Sequence, residues 1–171
     1  AWTRRVEQAV RDSGRTWTLI RPGWFMQVFT DPRFFLDDIV ERDRFQLVSE
    51  GQSVAWIDAR DIAAVAEAAL LEPGHHGQVY EITGPEALSM QRVAELLTSF
   101  VGRRVEHVEV PMVALLGESE GFQRDLDHGA LDRIRLGLFG LVTETVREVT
   151  GNAPRSFEQF LSDRGHQLSG S

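Results

Sequence analysis

Neither cysteine nor lysine occurs in this sequence; all 18 of its basic residues are arginines. The first absence excludes disulfides, thiolate catalysis and cysteine metal sites. The second leaves Schiff-base and lysine general-base chemistry without a candidate. No apolar run approaches the ~18–20 residues of a membrane span. The start is amphipathic and charged rather than a basic end before an apolar block, so no signal peptide is expected and the cytoplasm is the default. Positive charge is also scarce. With 26 acidic residues the formal net charge is −8, which argues against a broad nucleic-acid or anionic-membrane surface. The chain begins at Ala1, inside an expected helix and without an initiating methionine, as a fragment would.

What is present suits a globular α/β chain. It has 171 residues, 42% of them hydrophobic, enough for one domain with a real core over residues 1–164, followed by a polar tail at 165–171 expected to be disordered. Strands and helices alternate without repeats. An amphipathic helix over 2–13 with Val6, Ala9 and Val10 on one side precedes a Thr-, Trp- and Ile-rich strand over 16–20. Phe34, Phe35, Leu36, Ile39 and Val40 suggest a short helix with Asp37, Asp38 and Glu41 outward. Strands follow over 44–48 and 53–57, then a helix over 59–71, a strand over 78–83, a helix over 90–101 and an edge strand over 105–110 carrying an exposed His107. Residues 111–149 read as helical but interrupted by glycines, with Leu115, Leu116, Phe122, Leu126, Leu131, Ile134, Leu138, Leu141 and Val146 as core. Ser156 with Gln159 forms a capping box for a last helix.

The functional signal sits at the end of the first strand. Pro22 removes a backbone donor and Gly23 frees the backbone, so the strand stops there. Trp24, Phe25, Met26 and Phe29 follow at once, on the strand's carboxyl end, where open α/β sheets bind ligands. Each of these large apolar residues can instead be ordinary core, and Trp56 can face pocket or core. Arg21 can bind an anion or make a structural ion pair. Asp58 and Asp61, in a D-x-x-D before an apolar run, read as helix caps rather than acids. His75 and His76 lie in a Pro-Gly/Gly turn, and Asp125 to Gly129 departs from a calcium loop, so no metal is expected. His128 is the histidine to test first as a base. Ser119 has no histidine partner in a recognisable nucleophile motif.

Three phrases, SGRTWTLIRPGWFMQ, VAWIDARDIAAVAEAALLEPGHHGQVYEITGPEALSMQRVAELL and VTGNAPRSFEQFL, occur in the order of landmarks in the NmrA-like atypical short-chain dehydrogenases, and the chain resembles that family from about Arg5 to Leu161. The resemblance implies the C-terminal portion of an NAD(P)-binding Rossmann-like fold, with a small helical substrate-binding region. It implies NADP or NAD as cofactor, with Pro22, Gly23, Trp24 and Phe25 in the loop passing under the nicotinamide. Trp24, Phe25, Met26, Phe29 and Trp56 would line the substrate pocket. The Gly-rich strand–turn–helix that holds the pyrophosphate in that family has no match here. Tyr80 is the only tyrosine, so the Tyr-x-x-x-Lys pair of typical short-chain dehydrogenases is absent too.

An interior strand of the family at 16–20 would then have one bare edge, to be covered by the missing N-terminal half or by a homodimer. The function implied is the substrate-binding portion of an NAD(P)H-dependent reductase of a small, largely apolar electrophile such as a quinone. Two alternatives are a redox-inactive regulator that binds dinucleotide and a partner protein, and a stand-alone relative catalysing cofactor-free cyclisation, dehydration or isomerisation.

Overall fold

The computed structural model describes residues 2–117 and 120–169, so Ser119 and the last two tail residues lie outside the described residues. In chain order the elements are α1 (Trp2–Arg11), β1 (Thr18–Pro22), α2 (Leu36–Arg42), β2 (Arg44–Leu47), β3 (Ser53–Val54), α3 (Ala59–Leu71), β4 (Gln78–Ile82), β5 (Leu88–Ser89), α4 (Met90–Val101), β6 (Glu106–Glu109), α5 (Met112–Leu116), α6 (Gly121–Arg135), α7 (Thr145–Thr150) and α8 (Phe157–Arg164). Met26–Phe29 and Gly165–Ser169 are 3-10 turns. The architecture is α/β. β1 runs parallel to β4, from Thr18 opposite Gln78 to Pro22 opposite Ile82; β2 runs parallel to β6, and β3 pairs antiparallel with β5. Among the described residues no helix is long and apolar enough to cross a membrane.

Helix starts follow local chemistry. The Ser89 hydroxyl accepts from the Arg92 N–H at 3.1 Å to open α4. Ser156 and Gln159 form a reciprocal capping box at α8, satisfying donors that a helix N-terminus leaves free. Asp58 caps α3, accepting from the Arg60 N–H at 2.8 Å. Its carboxylate also receives the Arg60 guanidinium at 2.6 Å and the Gln27 amide at 3.1 Å. Gln27 in turn accepts from the Ala59 N–H at 3.0 Å. Asp61 does something different from capping: buried, it accepts from the Arg155 N–H at 2.8 Å and from the Arg155 guanidinium, which ties α3 to the segment entering α8.

Several expectations are corrected. The strand over 53–57 is regular only at Ser53–Val54; Ala55 turns its N–H to the Phe139 carbonyl at 2.8 Å, and Ile57 rejoins strand pairing as a single parallel bridge with Phe25. The apolar side of α1 is uncovered among the described residues, with Val6 62% exposed. In the 111–149 region Leu116, Leu131, Ile134 and Val146 are buried, whereas Phe122, Leu126, Leu138 and Leu141 are exposed; α6 packs inward along one stripe only. His107 is half-buried against the Phe45 ring, its Nε2 2.9 Å from the Leu47 carbonyl oxygen. Residues 165–169 are not disordered either. Leu168 is fully buried, and Arg103 donates to the carbonyls of Ile39 and Leu168 at 3.0 and 3.3 Å. Gly165 permits this return of the chain, since a Cβ there would lie 2.7 Å from the Phe100 ring.

The core seat of Leu168 makes Leu168→Ala destabilising by about 2–5 kcal/mol, measurable as a lowered urea midpoint at unchanged slope. A second prediction concerns the α3 cap. Burial raises the Asp58 carboxyl pKa, but the bonds from Arg60 and Gln27 outweigh it and hold the group below its ordinary 3.8. A depressed folded value means that the cap's stabilisation is full above pH 3.8 and is lost as pH falls through the folded value. Asp58→Asn therefore loses about 2 kcal/mol at neutral pH, and urea titrations at falling pH show the gap to wild type closing.

Candidate functional site

Past Pro22 the chain turns across the sheet edge under close constraint. The Gly23 N–H donates to the Ile82 carbonyl at 2.8 Å, and a Cβ at Gly23 would stand 3.0 Å from the Ala55 carbonyl oxygen. A larger residue would push the exit loop off its neighbour. Two further backbone bonds fix the loop: Ile57 N–H to the Trp24 carbonyl and Met26 N–H to the Ile57 carbonyl, each 2.9 Å. Arg21 settles as a structural group, bonded to Glu7 at 2.6 Å and to Glu81 at 2.8 Å.

The aromatic residues that follow divide by depth. Met26, Phe29 and Trp56 are 1%, 0% and 1% exposed, so the structure corrects their placement: they are core beneath the site, not its walls. Phe29 meets the Trp56 ring edge-on at 5.0 Å and Phe157 edge-on at 5.0 Å. Trp24 is half-buried and lies stacked on Trp56, with centroids 5.5 Å apart and planes 23° from parallel. Phe25 is 41% exposed. Trp24 is thus the surface ring of a stack rooted in the core, and Phe25 is the ring beside it that faces out.

Trp24 borders an open cleft of about 960 Å³. Phe34 and Phe35 continue its wall on one side, Leu47, Gln46 and Asp38 form another part, and Ala114, Leu115, Leu126 and Leu131 from α5 and α6 close the rest. This lining is mostly apolar, with a few polar groups to orient a ligand, as small-molecule sites commonly are. Asp38, expected to point outward, instead turns toward the cleft. It accepts from Gln46 at 2.8 Å and from Arg42 at 2.5 Å. Burial pushes its carboxyl up, yet these donors outweigh burial and hold it below its ordinary 3.8. Asp38 is an acceptor here, not a proton donor. Asp127, across the cleft, accepts from Gln123 at 2.7 Å.

Pro22 and Gly23 border a second, shallow dent of about 30 Å³ with Thr83, Glu81, Arg133, Leu138, Phe139 and Leu141. The Phe139 ring, which lines the dent, lies 6.4 Å from that of Trp24, which lines the cleft. His75 and His76 stay in their turn, His75 Nδ1 2.7 Å from the Tyr80 hydroxyl and His76 Nδ1 accepting from the Trp17 N–H at 3.2 Å. His128 is exposed. Sequence reasoning found Trp24 and the exit loop but missed Phe34, Phe35, Asp38, Gln46 and the α6 wall. A cue existed at β2, where buried Phe45 and Leu47 alternate with Gln46, which places Gln46 on the opposite face.

Comparison with known proteins agrees with this geometry. The NmrA-like family matches residues 3–135. An NAD(P)H azoreductase from Xenophilus azovorans is 38% identical over 167 residues, which cover 93% of this chain and 56% of the relative. Agroclavine dehydrogenase from Claviceps fusiformis is 35% identical over 156 residues, 88% of this chain and 54% of that protein. An NADPH-dependent quinone oxidoreductase from Escherichia coli, solved with NADPH, superposes with a TM-score of 0.77 at 23% identity, over 92% of this chain and 56% of that one. The chain spans about half the length of the curated relatives it matches. With the exit loop, the parallel β1–β4 pair and the α3 start all inside the matched region, the chain belongs to the NmrA-like family.

Proposed function

We propose that this chain is the substrate-covering part of an NAD(P)H-dependent reductase that acts on a small, largely apolar electrophile such as a quinone. The observation that carries the reading is the cleft of about 960 Å³ walled by Trp24, Phe34 and Phe35 at the carboxyl side of the sheet. Flat conjugated molecules pack well on such rings. The names of an azoreductase relative and of a quinone oxidoreductase neighbour support a conjugated acceptor; NADPH is common to both names, and the first also admits NADH.

The residues present fit one end of that cofactor. Exposed Phe25 beside Trp24, with the Pro22–Gly23 backbone, offers a flat apolar wall for a nicotinamide ring. Among the described residues the α3 N-terminus at this edge is not a free seat for the pyrophosphate, because the Asp58 carboxylate and the Gln27 amide already fill it. When bound, the dinucleotide supplies a hydride. The chain's own contribution is to hold the acceptor against Trp24, keep water from one face of it and fix its tilt with Asp38 and Gln46.

The pyrophosphate grip comes, on this reading, from an N-terminal half of the family's kind, seated on the free edge of β1 and the uncovered side of α1. Among the described residues β1 pairs only with β4, and an open strand edge invites a partner. A homodimer through the same edge is the competing arrangement.

Calorimetric titration tests the reading. The 171-residue chain is expected to bind naphthoquinone but not NADPH, and Trp24→Ala is expected to weaken the quinone about tenfold. NADPH oxidation is expected on adding a relative's N-terminal half. Tight NADPH binding by the chain alone would overturn the division of labour, and an absence of quinone binding would overturn the substrate class.

A further inference from the structure

The charged groups that line the large cleft are matched by opposite charges, except for Asp127. Arg33 is held by Asp31 at 2.6 Å. Asp38 is held by Arg42 at 2.5 Å and by the Gln46 amide at 2.8 Å, with Arg44 3.9 Å away. Asp127 receives the Gln123 side-chain amide, 2.7 Å from its Oδ1, and among the described residues no arginine pairs with it. It is half-buried, whereas its helix neighbours Asp125, Leu126 and His128 are exposed. An uncompensated negative charge therefore sits where water is partly excluded, a situation that an incoming positive charge improves.

The rings of the same cleft favour the same sign. Trp24, Phe34 and Phe35 line it together with Asp127, and Phe34 is 53% exposed. Apolar side chains lie between ring and carboxylate. Asp127 and Leu131 are one turn apart on one face of α6, and both line the cleft with Ala130; Trp24 packs against the core cluster to which Leu131 belongs. Aromatic faces carry negative charge density and attract cations. An anionic ligand would meet these rings, the Asp127 carboxylate and a chain of net charge −8. Two independent features of one cavity, its aromatic wall and its unpaired acid, thus select a cation.

We propose that Asp127 is a specificity-determining residue for an acceptor that carries a cationic substituent of the ammonium class, its ring system against Trp24 and its positive charge against the Asp127 carboxylate. The inference rests on the reading of that cleft as the acceptor site and adds the charge class of the molecule it takes.

The test compares three ligands of one ring system by calorimetry: naphthoquinone, naphthoquinone bearing a trimethylammonium-methyl group, and naphthoquinone sulfonate. Wild type is expected to bind the ammonium form about tenfold more tightly than the neutral quinone and the sulfonate more weakly than either, with differences that shrink as salt is added. Asp127→Asn is expected to lower the ammonium preference to about twofold, the share left to the rings and to the overall charge. Asp125→Asn removes the same charge from an exposed position of α6 outside the cleft lining, and it is expected to keep the wild-type preference. Equal far-ultraviolet spectra and melting temperatures show that the variants are folded. Equal affinity of wild type for the neutral and ammonium forms, or a preference lowered no more by Asp127→Asn than by Asp125→Asn, overturns the role of Asp127 while the acceptor-site reading stands. Failure of wild type to bind any of the three ligands overturns both.

Discussion

Trp24 stands at the rim of the cleft because Trp56 stands behind it. The indole–indole stack, 5.5 Å between centroids, would be of little use on a mobile loop. Here its inner member is held edge-on by Phe29, itself locked against Phe45, Phe35 and Phe157. A surface aromatic ordinarily gives up rotamer freedom when it binds a ligand. Trp24 has lost much of that freedom in folding, so less remains to be lost on binding. The core residues once expected to touch a ligand act one layer down, by fixing the Trp24 ring at the rim of the cleft.

The same segment is clamped from the other side by polar chemistry. Gln27, one residue past Met26, spans from the Asp58 carboxylate to the Ala59 N–H. Arg60 reaches from Asp58 to Asp163 of α8 at 2.8 Å. The start of α3 therefore serves three elements at once, the exit loop, the helix itself and α8. A buried carboxylate is costly unless charge and hydrogen bonds compensate, and Asp58 is compensated by two side chains and a backbone N–H. This occupancy has a chemical consequence. The helix terminus at this edge has been given its anion by the protein itself.

How much of this was legible beforehand depends on whether the signal was local. The caps at Asp58, Ser89 and Ser156 are short-range patterns, and helices α3 and α4 begin and end where their cap and glycine or proline punctuation places them. Pro22–Gly23 marked the strand exit for the same reason. Depth was not legible. Met26, Phe29 and Phe25 lie within five positions of one another, yet the first two are buried and the third faces out; a 3-10 turn sets that division, and composition carries no trace of it. The α6 wall was also hidden, because Leu126 and Leu131 both read as core, yet five positions apart on a helix they face different sides and only Leu131, in line with Ile134, reaches the core. Leu168 was misjudged because the polar residues around it gave no hint that Arg103 would draw the tail back.

Three of the exposed apolar residues that sequence reasoning assigned to the core, Leu126, Leu138 and Leu141, line concavities. Leu126 faces the large cleft, and Leu138 and Leu141 face the dent. A folding core would have buried them at about 25 cal/mol per Å² of apolar surface, so leaving them at two concavities forgoes stability that neighbouring Leu131 and Ile134 obtain. Apolar surface gathered at concavities in this way is the kind that small-molecule sites bury on binding instead of on folding. The rim is held rigid by the Trp24–Trp56 stack and by the Asp58 network, and the wall across from it is left wet.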